Sequence, residues 1–180
     1  SSKNINNALF LAANFMNNNL ETMRHSLSHV MAQAVLKFFP DVKLTIGPPI
    51  DNGFYYDFDL GEKSFTKDDL KRIEKEMRKI VREDQAFEQF SLSAEEALKK
   101  LADNPYKQEL IEELVKQGET QISFYKNINK QGEIVFEDMC RGPHLESTGK
   151  TGAFKLHKLA GAYWRGDEKN KMLQRIYALA

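Results

Sequence analysis

Three of the four histidines and the single cysteine of this 180-residue chain fall into two pairs of identical spacing. His25 and His29 stand four apart, and Cys140 stands four before His144 in Asp138-Met139-Cys140-Arg141-Gly142-Pro143-His144. On a helix, residues four apart project from one face, one turn from each other. In the second pair, Gly142-Pro143 forces a turn that brings Cys140 and His144 to the same side. HxxxH with CxxxH supplies four ligands of the kind zinc prefers, and four protein ligands would make the ion structural unless one swings away. The same residues equally supply a base, a thiol and hydrogen-bond donors for hydrolysis without metal. Spacing does not separate the two chemistries. Taken singly, each pair has a plainer reading, as two surface histidines or as a small buried cysteine. Their coincidence is what favours a site.

The first pair sits on an expected helix from Glu21 to Phe39, whose apolar face is Met23, Leu27, Val30, Met31, Ala34, Val35 and Phe38. His25 and His29 fall almost opposite the centre of that stripe, in line with Ala32 and Leu36, as the wall of a cleft would. Pro40 ends the helix. The Asn-rich opening reads as a lead-in or short helix ending at Asn17 to Asn19. Val42 to Ile46 and Gly53 to Phe58 read as strands across Gly47-Pro48-Pro49 and Asp51-Asn52-Gly53. A helix follows from Lys67 to Glu83, capped by Thr66 and Asp69. Phe87 to Phe90 is a short strand, and Ser93 with Glu96 opens a helix to about Leu101. A further helix starts at Pro105 and stops near Gly118. Gln121 to Tyr125 and Glu133 to Met139 form a hairpin around Asn127 to Gln131, and Phe154 to Trp164 is more strand. Hairpins with interspersed helices indicate α+β, an antiparallel sheet with helices packed around it.

Composition narrows the class. Lys+Arg and Asp+Glu balance at 26 each, which argues against gripping long duplexes by their phosphates but leaves room for receiving an RNA end. One cysteine permits no internal disulfide and suits a reducing cytoplasm. No run approaches the roughly 18 apolar residues of a membrane span. The segment Ala8 to Phe15 is too short, and it lacks the basic start of a secretory signal.

Four separated motifs carry a resemblance. Arg24 to His29 (RHSLSH), Ile46 to Asp57 (IGPPIDNGFYYD), Asp138 to His144 (DMCRGPH) and Ala160 to Asp167 (AGAYWRGD) are similar to bacterial-type threonyl-tRNA synthetases. Paired HxxxH and CxxxH belong to the editing fold that these enzymes share with alanyl-tRNA synthetases and freestanding alanyl-tRNA editing proteins. The resemblance runs from about residue 20 to the end. It implies residues 1–19 as a lead-in or domain remnant, 20–165 as an editing domain, and 166–180 as a linker toward an aminoacylation domain, the chain being an excised piece.

The resemblance also implies a role and a site. The expected reaction is post-transfer editing, hydrolysis of the ester of seryl-tRNA(Thr), without a bound metal. The expected partners are the acceptor end of tRNA(Thr) carrying serine and the remaining aminoacylation and anticodon-binding domains. By motif match the catalytic set is His25, His29, Cys140, His144, Asp138 and Lys107, with Tyr125, Arg141 and Gly142 contacting substrate. The loop after Tyr125, Asn127 to Gln131, is longer than usual for the family. Two rivals stand beside this reading. One is a zinc-binding alanyl-type deacylase holding the ion at His25, His29, Cys140 and His144. The other is a module that binds tRNA without catalysis. An unrelated Cys–His hydrolase would need a reactive Cys140.

Overall fold

No glycine or proline occurs before Pro40, and one helix, α1 (Ser2–Phe38), occupies that stretch. The computed structural model describes residues 2–180, with side chains from Leu9 onward except at positions 10 and 17. The break expected at Asn17 to Asn19 does not occur, because an asparagine in a helix interior costs under about 0.7 kcal/mol relative to alanine. From Arg24 to Val35 the helix is buried on almost every side. The Leu27 face enters the main core, and the histidine face meets a second layer of structure.

Two antiparallel sheets flank it. The larger is ordered β1 (Lys43–Leu44), β3 (Gly53–Asp59), β8 (Met172–Leu179), β7 (Lys155–Tyr163), and β2 (Pro49–Ile50) also pairs with β3. The smaller is ordered β4 (Ala86–Ser93), β5 (Gln121–Ile128), β6 (Ile134–Met139). Helix α2 (Lys67–Glu83) buries Ile73, Met77 and Ile80 against α1, and Thr66 and Asp69 form the expected reciprocal capping box. Helices α3 (Ala94–Lys100) and α4 (Pro105–Lys116) cover the small sheet through Ala97, Ile111, Ile122 and Phe124. The architecture is α+β with antiparallel sheets, as expected.

Residues 166–180, expected as a linker, need correction. Trp164 to Gly166 forms a tight turn, and the chain then enters β8, an interior strand hydrogen-bonded to β3 on one side and β7 on the other. Leu173 and Ile176 are fully buried. With Leu173, Ile176 and Ala178 buried, Met172 to Leu179 is a strand with packed neighbours, not a tether. The hairpin loop also begins later than expected: β5 runs to Ile128, with a register shift at Asn127/Ile128.

Candidate active site

The two sequence pairs meet. Helix α1 delivers His25, and the loop after β6 delivers Cys140 and His144. His25 Nε2 lies 3.2 Å and His144 Nε2 3.3 Å from the Cys140 sulfur. The two imidazoles stack with centroids 4.5 Å apart.

Neighbouring groups fix the tautomers. His25 Nδ1 faces the Pro143 carbonyl at 3.3 Å, an acceptor only, so Nδ1 carries the proton. The Ser26 hydroxyl donates to Thr22 O at 2.8 Å and accepts from the Leu145 amide at 2.9 Å. It must therefore accept from His144 Nδ1, which lies 3.1 Å away. Both Nε2 lone pairs then point at one sulfur that carries a single proton. Burial keeps the cluster uncharged. It lowers the His25 pKa, pushes His144 down to about 2 with the help of the other two histidines, and lifts the Cys140 thiol to about 11.

His29 does not join. Its Nε2 is 2.7 Å from Asn127 Oδ1, inside a cage of Phe87 and Phe136. Burial lowers its pKa to about 4. The donor set for a metal is thus three atoms, from His25, Cys140 and His144, all within 4.8 Å of one another. The sulfur–nitrogen spacings suit a tetrahedral tripod with its fourth position open, not the four-ligand site that the spacing suggests. Two neutral imidazoles and a thiol are chemically apt for zinc.

Lys107 and Asp138 form the second feature. Lys107 is 3% and Asp138 8% exposed, and Nζ stands 3.4 Å from Oδ1. Oδ1 also accepts the Met139 amide at 2.9 Å, and Oδ2 accepts the Tyr56 hydroxyl at 3.1 Å. The Asn104 side chain caps α4 by accepting from the Lys107 amide, with Pro105 in the first turn, so the cap sets where Lys107 projects. A buried lysine with one carboxylate partner keeps donors that can face a ligand.

These groups border a cavity of about 550 Å³ between α1, the Thr45–Pro49 loop, α4 and the end of β6. His25, Ser28, Tyr56, Lys107, Asp138, Cys140 and the exposed Arg141 line it. Gly47 lets the loop lie flat on the Tyr56 ring, where a Cβ would collide. Tyr125 and Gly142, expected against substrate, sit behind this wall. Tyr125 packs edge-on to the His144 ring at 4.5 Å. Gly142 has φ +71 and no room for a Cβ against the Tyr125 hydroxyl, and its amide donates to Cys140 Sγ at 3.2 Å. That amide is therefore not free for an oxyanion. Sequence reasoning missed Ser26, Tyr56 and Asn127, each an ordinary residue within its own element.

Comparison with known proteins is direct. Residues 114–177 match the family described as the threonyl and alanyl tRNA synthetase second additional domain. The chain is 58% identical over 159 residues to a threonine–tRNA ligase of Acetivibrio thermocellus, covering 87% of this chain and 24% of that protein. It is 60% identical over 158 residues to the enzyme of Caldanaerobacter subterraneus, with 87% and 23% covered. Against that of Clostridium tetani it is 59% identical over 162 residues, with 89% and 24% covered. The chain belongs to the threonyl-tRNA synthetase family. It spans about a quarter of the length of these curated relatives, and its fold is that of the synthetase editing domain. In this synthetase segment the family match holds the Cys140 loop, while α1 with His25 lies outside it and within the longer alignments' share of the chain. Among the described residues no helix is long and apolar enough to cross a membrane.

Proposed function

We propose that this chain is an aminoacyl-ester hydrolase that removes serine from seryl-tRNA(Thr) in the cytoplasm, as the editing part of a threonine–tRNA ligase. The supporting observation is the convergence, in one cavity, of a neutral imidazole on α1, the Cys140 loop and the buried Lys107–Asp138 pair. The reaction class follows from the substrate problem. A missing methyl in a pocket is worth only about 1–3 kcal/mol, so a synthetic site that admits threonine accepts some serine. A second site that is too tight for threonine removes the error.

His25 is the water-handling base, since its side chain borders the cavity and burial keeps it unprotonated at neutral pH. The water attacks the ester carbonyl, and the proton returns to the leaving ribose oxygen. Lys107 donates to the developing oxyanion or to the RNA end. Asp138, with both oxygens engaged, holds Lys107 and Tyr56 in place and is a poorer receptor for the substrate ammonium than sequence suggests. Cys140 orients, because a thiol near 11 is rarely a thiolate at neutral pH. Arg141, exposed at the mouth, meets the RNA phosphate. The remaining domains of the synthetase carry most of the tRNA contact.

One observation favours a second reading: the tripod of His25, Cys140 and His144 suits zinc. Bound there, zinc would supply Lewis acidity at its open position. The deciding assay follows deacylation of serine-charged and threonine-charged tRNA(Thr), with and without chelator, alongside metal content. Fast serine loss, spared threonine and indifference to chelator are expected. Chelator-sensitive hydrolysis would establish the zinc reading, and tRNA binding with no hydrolysis would make this a non-catalytic module.

A further inference from the structure

Helix α4 forms one wall of the cavity through Lys107, Leu110, Glu113, Leu114 and Gln117. What holds that wall is the turn after β7. The Trp164 indole packs edge-on to Tyr106 at 5.1 Å and donates from Nε1 to Glu109 Oε2 at 2.8 Å. Leu173 and Leu110 complete a small apolar cluster there, and the Tyr106 hydroxyl reaches Asp59 Oδ2 at 2.7 Å. Arg165 then bridges two carboxylates on α4, with Nε 3.2 Å from Glu109 and Nη1 2.5 Å from Glu113. Arg165 does so from a left-handed backbone, φ 57 and ψ 22, a region unfavourable to any residue with a side chain. A residue held there against its preference marks a turn determined by its surroundings. Tyr106, gripped by this turn, is the immediate neighbour of Lys107, which points into the cavity.

We propose that Trp164 and Arg165 are positioning residues of the editing site: they clamp α4 to the end of the large sheet, fix Lys107 opposite Asp138, and set the cavity width that separates serine from threonine. The inference deepens the deacylase reading and rests on it for its consequence in specificity. Glu113 both lines the cavity and pairs with Arg165, so the clamp acts on the wall itself. An ion pair this exposed adds little to global stability. Its loss therefore leaves the fold standing while loosening one wall.

The test uses the full chain with Arg165→Gly, which accepts the left-handed turn and removes the guanidinium, and with Arg165→Lys and Trp164→Phe. Three quantities are read: thermal midpoint, amide exchange across 105–116, and the ratio of seryl to threonyl ester hydrolysis. Arg165→Gly is expected to shift the midpoint slightly, to speed exchange in α4 about ten-fold relative to α2, and to lower the serine-to-threonine ratio about five-fold. Arg165→Lys recovers part of both effects, and Trp164→Phe shows them more weakly. Unchanged exchange in α4 overturns the clamp. Faster exchange with an unchanged ratio overturns its role in specificity. Wild-type protein that hydrolyses neither ester defeats the deacylase reading instead, and the exchange result then decides the clamp alone.

Discussion

Burial sets the working range of His25. Because its pKa is lowered from 6.5, the base form persists below that value, and activity falls only as pH drops through the lowered pKa. The pH profile of seryl ester hydrolysis is expected to have its acid limb below 6.5, and an inflection above 6.5 would refute the assignment. His25→Ala should lower single-turnover hydrolysis by about 10²- to 10⁴-fold with an unchanged circular dichroism spectrum. Cys140→Ala should keep most of the activity, and mass spectrometry of quenched reactions should show no acyl-enzyme in wild type. A trapped acyl-cysteine would move the nucleophile to the sulfur. At this scale the sequence revealed the residues with unusual chemistry, since paired HxxxH and CxxxH stand out against their surroundings. It hid Ser26, Tyr56 and Asn127, because a helix serine, a strand tyrosine and a strand asparagine acquire roles only when another element arrives. It also could not show that His29 turns to Asn127 and leaves the metal-type donors at three.

Elements whose signals are local were legible, and elements defined by remote partners were not. The α2 boundaries and capping box follow from Thr66, Asp69 and one apolar stripe, all within the helix itself. Thr66→Ala is expected to cost about 1 kcal/mol in denaturant unfolding, without effect on hydrolysis. Strand β8 carries no comparable local mark, since its pairing partners are β7 and a strand from the other end of the chain. Its interior place makes a strong prediction: Ile176→Ala, at a fully buried position, should cost about 2–5 kcal/mol. A cost under about 0.5 kcal/mol, typical of surface sites, would contradict a packed interior strand. The run through Asn17 to Asn19 misleads for the opposite reason: weak helix formers stay helical where no glycine or proline stops them.

For the whole molecule, the buried histidines couple folding to pH. His29 titrates near 4 when folded and near 6.5 when unfolded, so the unfolded chain binds more protons between those values. Stability from this residue is complete above about 6.5, declines as pH falls, and is lost by about 4, a change of about 3 kcal/mol. His144 acts in the same direction over a wider window. Urea midpoints measured from pH 7.5 to 4.5 should fall steadily, and His29→Asn should flatten that slope. A pH-independent midpoint would show that the two rings are solvated. The interior position of β8 reaches further, into synthesis. Its register with β3 joins residues about 120 positions apart. At about 5–20 residues per second, a ribosome leaves the β3 edge and the apolar face of α1 without this strand for about 6–24 s. Nascent chains arrested before Met172 should therefore be protease-sensitive and bound by chaperones, and release of that hold should coincide with emergence of the final strand.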